Sequence, residues 1–296
     1  VGNSEDRVKQ DILSPDFLDH FHEKVHEPIR ATPTHLPTLN KISRGPGGGI
    51  GIHGFVCLSG NPASGKSALA LGFASAALNH GIEGGVAMIN LEMSAEATAT
   101  RMYALHTETR IALLEQGNFD DDAFAEARRA MNGSQPLWVP KGLLTSWESC
   151  LEYMNDCLST ANCRYYILDY LQLISTGNES EIYANTQRVV TSLRAWGVQN
   201  DATIVCLSQF NRTTSSNYEQ SPRMTGLFGG MILEASCDLI VLLDHSRYER
   251  DGNTARTWLI IAKNRHGPTV EIPIEWDYRT LSVREADPHE ESSWPK

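Results

Sequence analysis

An α/β fold, with a mostly parallel sheet and antiparallel edge strands, is predicted by three features of the sequence. Apolar runs of strand length (Phe55 to Ser59, Val86 to Leu91, Tyr165 to Leu168, Thr203 to Leu207) alternate with stretches of helical periodicity. Two later runs, Leu239 to Leu243 and Thr257 to Ala262, have no helix between them, only the turn-like Asp251-Gly252-Asn253, which suits antiparallel neighbours at a sheet edge. The third feature is Gly60-Asn61-Pro62-Ala63-Ser64-Gly65-Lys66-Ser67, which fits the phosphate-binding loop pattern G-x-x-x-x-G-K-[ST].

That loop stands where its chemistry needs it. A strand precedes it, and Ser67 to Asn79, rich in Ala and Leu and closed by Gly81, reads as the helix that follows. Backbone N–H groups of the loop and the positive end of the helix together hold anionic oxygens. Gly60 and Gly65 let the backbone approach, Lys66 is expected to reach the β and γ phosphates, and the Ser67 hydroxyl to ligate magnesium.

At 296 residues the chain can bury a sizeable core, as one domain or two. The formal charge of −11 argues against a surface that is basic throughout, though a local loop for nucleic acid remains compatible with it. The six cysteines form no C-x-x-C pair, so reduced, buried thiols are expected rather than disulfides or zinc. His20, His22 and His26 have no cysteine beside them and do not read as a zinc site. No apolar run reaches transmembrane length and the opening VGNSEDRVKQD is charged, so the reading is a soluble, cytoplasmic protein with no membrane contact.

Before the core, Asp6 to Glu23 reads as two short amphipathic helices broken at Ser14-Pro15, and Glu27 to Thr38 as an extended linker stiffened by three prolines. Residues 1–38 are thus expected to be an N-terminal appendage, 39–284 the main domain and 285–296 an acidic tail. Within the domain, helices are expected from Ser94 onward, over Thr107 to Asn132 with a break at Gly117-Asn118, over Ser146 to Leu158 and over Glu181 to Asn200. Asn211 to Pro222 reads as a polar loop.

In a parallel sheet, ligands bind beyond the carboxyl ends of the strands. The ends here deliver Glu92, Asp169 and Gln209 alongside Ser67. Asp169, after an apolar run, fits a carboxylate that holds magnesium; Glu92 fits a general base for an attacking water; Gln209 fits a sensor of the γ-phosphate. Lys263 and Arg265 are two apart at the end of a late strand and share a face if the strand persists through both. Paired cations suit a transferring phosphoryl group, although spacing alone favours an ordinary surface pair on a hairpin.

Taken together, GNPASGKS, NLEMS with Glu92, DYLQLI from Asp169, SQFNR from Ser208 and IAKNRHGPT from Ile261 resemble, in order, the motifs of the hexameric replicative DNA helicases of the DnaB family, in their RecA-like motor domain. The resemblance runs from about Gly45 to Arg284. It implies a RecA-like core that hydrolyses ATP with Mg2+, with Lys66 and Ser67 on nucleotide and metal, Asp169 as the metal's carboxylate, Glu92 as catalytic base, Gln209 as sensor, and Lys263 and Arg265 acting on a neighbouring subunit's ATP. The partners it implies are single-stranded DNA, further copies in a ring expected to be a hexamer, and a primase or loader. These 296 residues hold no counterpart of the family's primase-docking N-terminal domain.

Leu227 to Met231 (LFGGM) stands where the family commonly has a polar, Arg-containing DNA loop. Gly229 and Gly230 permit close approach to phosphates, and Arg212 and Arg223 are the nearby cations left to contact DNA. Two alternatives remain at this stage. One is a RadA-like recombination or repair ATPase, whose KNRFG-like motif resembles Lys263 to Gly267; the other is a nucleotide-gated assembly factor.

Overall fold

The computed structural model describes residues 31–43, 48–51, 54–117, 121–122, 125, 135–175, 182–211 and 221–286. The expected helices before residue 31, Arg212 with most of the polar loop around it, and the chain from 287 onward lie outside the described residues.

Eleven strands and seven α-helices are defined among the described residues. In chain order they are β1 (Ala31–Thr32), α1 (Pro37–Ile42), β2 (Ile50–Gly51), β3 (Phe55–Gly60), α2 (Lys66–Asn79), β4 (Val86–Asn90), α3 (Ala95–Thr107), α4 (Ile111–Glu115), β5 (Leu137–Trp138), α5 (Trp147–Ala161), β6 (Tyr165–Asp169), α6 (Ile182–Gln199), β7 (Thr203–Gln209), α7 (Gly230–Ser236), β8 (Leu239–Asp251), β9 (Thr254–Asn264), β10 (Glu271–Asp277) and β11 (Ser282–Glu285). Nine strands form one sheet in the order β11-β10-β9-β8-β3-β7-β6-β4-β5. From β8 to β5 neighbours run parallel, and β9, β10 and β11 add antiparallel at one side. The mostly parallel sheet with antiparallel edges is the architecture expected from the sequence.

Strand alternation divides the core in two. Val56, Leu58, Tyr165, Ile167, Val205 and Leu207 face one side, where α2 brings Leu69, Phe73 and Ala77. Phe55, Cys57, Tyr166, Leu168, Ile204 and Cys206 face the other, where α5 brings Cys150 and Met154 and α6 brings Leu193 and Trp196. Strands covered on both faces must be apolar at every position, which is why these runs were continuous rather than alternating in the sequence. All six cysteines are free and buried.

Helix starts follow from side-chain caps. Ser94 accepts the Ala97 N–H at 3.2 Å, and Ser146 and Ser149 cap each other reciprocally ahead of α5. The helix expected from Thr107 does not begin there. Thr107 Oγ1 donates back to the Tyr103 carbonyl, Glu108 turns left-handed at φ 54°, and the chain restarts as the short α4 at Ile111, whose N–H donates to the Arg279 carbonyl.

Two other expectations shift at the ends of the domain. Part of the expected linker is built in: Ala31–Thr32 pairs with Ile50–Gly51, Pro37 opens α1, and Leu36 and Leu39 are fully buried. Proline at a first helical turn loses no hydrogen bond, so Pro37 starts a helix as readily as it stiffens a spacer. At the other end Glu285 closes β11, and its carboxylate accepts from the Thr38 N–H at 2.6 Å and the Thr38 hydroxyl at 2.7 Å.

Candidate active site

The register of the sheet assembles the site. Gly60 pairs with Gln209 across β3 and β7, and Asn90 with Asp169 across β4 and β6. Since β3, β7, β6 and β4 are consecutive and parallel, the phosphate loop, Gln209, Asp169 and Glu92 stand side by side at one end of the sheet.

The loop closes on itself through Lys66, whose Nζ donates to the Gly60 carbonyl at 3.1 Å and the Asn61 carbonyl at 2.7 Å. Gly65 caps α2 at φ +91°, a left-handed conformation in which a Cβ would also lie 2.6 Å from the Trp276 ring. Burial pulls the Lys66 pKa down to about 8, and the nearby Asp169 and Glu92 charges act against that pull. Asn61 Oδ1 and Ser64 Oγ are buried with no hydrogen-bond partner among the described residues. A helix N-terminus, a buried ammonium and unsatisfied polar atoms around a cradle that glycine alone can line fit a polyphosphate.

The Ser67 hydroxyl hydrogen-bonds Asp169, whose carboxyl is raised above the usual range by burial, with Ser67 and Lys66 opposing. No group of three or more His, Cys, Asp or Glu able to hold a metal occurs among the described residues. One hydroxyl and one carboxylate are nevertheless a fitting protein share for magnesium, which keeps waters and phosphate oxygens as its other ligands.

Glu92 is exposed just past β4. Its position is set by Asn90, whose Oδ1 accepts the Glu92 N–H at 3.2 Å and the Met93 N–H at 3.0 Å. The Tyr170 hydroxyl hydrogen-bonds both Glu92 and Gln209, and burial is the first cause of its raised pKa. On the far side of Gln209, the Gln172 amide donates to Ser208 Oγ at 2.8 Å. A carboxylate held in this way, beside a loop that cradles phosphates, can take a proton from an attacking water.

Lys263 and Arg265 are elsewhere. The carbonyl of Asp238 accepts the Arg265 N–H at 2.8 Å, its carboxylate accepts the Phe55 N–H at 3.0 Å, and Phe55 is the first residue of β3. The length of β3, about 16 Å at the usual strand rise, therefore separates Arg265 from its own chain's phosphate loop. The strand that would give them a shared face ends at Asn264, so Arg265 lies beyond it: Lys263 Nζ donates to the Glu234 carbonyl and Arg265 pairs with Asp238 at 2.7 Å.

Of the four residues expected at DNA, Arg223 is exposed, and Gly229 and Gly230 have a local explanation. Gly229 caps α7 at φ +74° with its missing Cβ 3.2 Å from Thr186, and a Cβ on Gly230 would come 3.2 Å from the Met224 carbonyl. The space these glycines leave is taken by their own chain. Asn90, Tyr170, Trp276 and Asp238 escaped the sequence reading; only Asn90, an Asx residue directly before a turn at a strand end, carried a local signal.

Residues 32–285 match the family described as DnaB-like helicase C terminal domain. The chain belongs to that family. Among curated relatives, a probable plasmid replicative DNA helicase of Chlamydia psittaci is 27% identical over 230 residues, covering 75% of this chain and 49% of the relative. The chain spans about half the length of the curated relatives it matches. A DnaB-like replicative helicase solved with its interactions with primase superposes with a TM-score of 0.73 at 17% identity, covering 94% of this chain and 68% of that one. A solved structure described as an ATPase domain gives 0.76 at 18% identity, covering 94% of this chain and all of that one. The fold of this DnaB-like domain is thus the RecA-like motor fold expected from its motifs.

Proposed function

We propose that this DnaB-like domain is the ATP-hydrolysing motor of a ring helicase that moves along single-stranded DNA in replication. The observation that carries the reading is the row of four adjacent strand ends: phosphate loop, Gln209, Asp169, Glu92. Lys66 and the loop amides hold the phosphates of ATP, with Gly60 and Gly65 giving the approach. Ser67 and Asp169 hold magnesium, which when bound offsets charge on the phosphate oxygens. Glu92 accepts the proton of the attacking water, and Gln209 answers to the γ-phosphate.

Arg265, with Lys263, serves the ATP of a neighbouring copy, because about 16 Å of strand separates it from its own. A complete site then needs two subunits, and a closed ring is the assembly that gives every subunit both neighbours. Six is the ring size in our reading. Arg223 and Arg212 supply the charged contacts to the strand. Residues 39–284 form the motor, with residues 31–38 and Glu285 built onto it, residues before 31 an arm toward a neighbouring subunit, and a primase or loader is the expected protein partner.

The test is ATP hydrolysis with and without single-stranded DNA, over protein concentrations that span assembly. Specific activity should rise with concentration and rise again with DNA; activity indifferent to both would leave a nucleotide-gated binding factor instead. Glu92→Gln should retain nucleotide and lower turnover on the order of a hundredfold or more. Turnover within a few-fold of the unaltered chain would remove the base from Glu92.

A further inference from the structure

At the end of the sheet away from the phosphate loop, one carboxylate gathers three segments of the chain. Asp238, just before β8, is only 6% exposed. Its Oδ2 accepts the Phe55 N–H at 3.0 Å and Arg194 Nη1 at 2.7 Å, Arg194 Nη2 lies 3.4 Å from Oδ1, and Arg265 Nη1 lies 2.7 Å from Oδ1. The Arg265 side chain is held through Nη1 and is nonetheless 46% exposed.

A segment proposed to face DNA leads to this point. Gly229 and Gly230 of LFGGM open α7, which ends at Ser236, two residues before Asp238. α6 carries Arg194 to the same acid, about 18 Å along its axis from Ile182. The two helices pack together, with Gly229 against Thr186.

Charge balance explains why two arginines share one acid. A buried carboxylate that loses its sole cation is left uncompensated, which is costly. With Arg194 and the Phe55 N–H still in place, Asp238 can release Arg265 toward a phosphate without being stranded.

We propose that Asp238 and Arg194 are positioning residues for Arg265, setting when that guanidinium reaches a neighbouring subunit's ATP according to how α6 and α7 are held by DNA. This rests on the reading of Arg265 as acting in trans. Without Arg194, Asp238 would retain Arg265; with Asn at 238, Arg265 would be untethered. Either change misplaces the guanidinium and leaves the chain's own nucleotide site intact.

The experiment mixes subunits. Lys66→Ala subunits cannot use their own site but carry an intact Arg265. They should restore DNA-stimulated hydrolysis to Arg265→Ala subunits, and failure to do so would overturn the trans reading and this inference with it. Arg194→Met alone should lose on the order of a hundredfold in turnover, the scale of a misplaced group, and bind a fluorescent ATP analogue within about twofold of the unaltered chain. Adding Lys66→Ala subunits should then restore its turnover, as for Arg265→Ala. Asp238→Asn should follow the same pattern, and because Asp238 also holds the start of β3, Arg194→Met is the deciding variant. Undiminished turnover in Arg194→Met, or a loss that Lys66→Ala subunits fail to restore while restoring Arg265→Ala, would overturn the inference and leave the trans reading standing.

Discussion

At the end of β4 the Asn90 amide oxygen takes two successive N–H groups and so turns the chain to present Glu92. Asn90→Ala removes that acceptor and leaves the phosphate loop untouched. We expect turnover to fall about tenfold or more from misplacement of the base, with stability reduced by roughly 1 kcal/mol for the lost hydrogen bonds. Steady-state kinetics beside a nucleotide titration checks this; affinity that falls in step with turnover would mean that Asn90 supports the loop instead. Gly65→Ala acts on the loop itself: at φ +91°, with the Trp276 ring in the way, alanine should cost on the order of 1–3 kcal/mol of strain. Nucleotide binding should weaken with it, measured by the same titration. The contrast between the two residues shows what a sequence discloses. Gly65 was legible because the phosphate loop is a local motif; Trp276, which covers it from β10, lies 211 positions away and nothing in its neighbourhood marks the contact.

Whole elements were legible where burial on both faces made them continuously apolar, as in β3, β4, β6 and β7. β10 was not: Glu271-Ile272-Pro273-Ile274-Glu275-Trp276-Asp277 alternates, and its Pro273 argues against a strand with neighbours on both sides. The segment ahead of α1 was likewise read as a spacer, yet it brings His35 onto α2. The ring meets Phe73 edge-on at 5.5 Å and lies over Gly72, where a Cβ would come 2.4 Å from it. Burial lowers its pKa from 6.5 to about 4, so the folded chain holds this histidine neutral where the unfolded chain would protonate it. Its stabilising contribution is complete above pH 6.5 and is lost as pH falls from there toward 4, by up to roughly 3 kcal/mol. Thermal unfolding across that range should show a falling Tm, and His35→Phe should flatten the fall. An equal slope in the variant would assign the acid sensitivity to other groups.

For the molecule as a whole, the sheet's polarity matters more than any single residue: the nucleotide site and Arg265 occupy opposite ends of the same strands. Spacing told that Lys263 and Arg265 stand close together at the end of a strand; only topology tells which end of the sheet they occupy, because strand order is not written locally. The charge distribution, by contrast, was legible from composition. The chain carries −11 overall, and around the proposed DNA face the glycines of LFGGM are occupied by their own backbone requirements. Arg223 is exposed there, and with Arg212 it supplies the two charged contacts proposed. Binding to a strand that is neutralised at only two phosphates should follow a log–log salt slope of about −1.4, roughly sevenfold weaker for a fourfold rise in salt. Arg223→Ala should make that slope shallower by about 0.7 and weaken binding to all sequences alike, since a phosphate contact carries no base information. Fluorescence anisotropy on homopolymeric strands at several salt concentrations measures both. A slope several times steeper, unchanged by Arg223→Ala, would assign the strand to a different and more basic surface than the one these two arginines define.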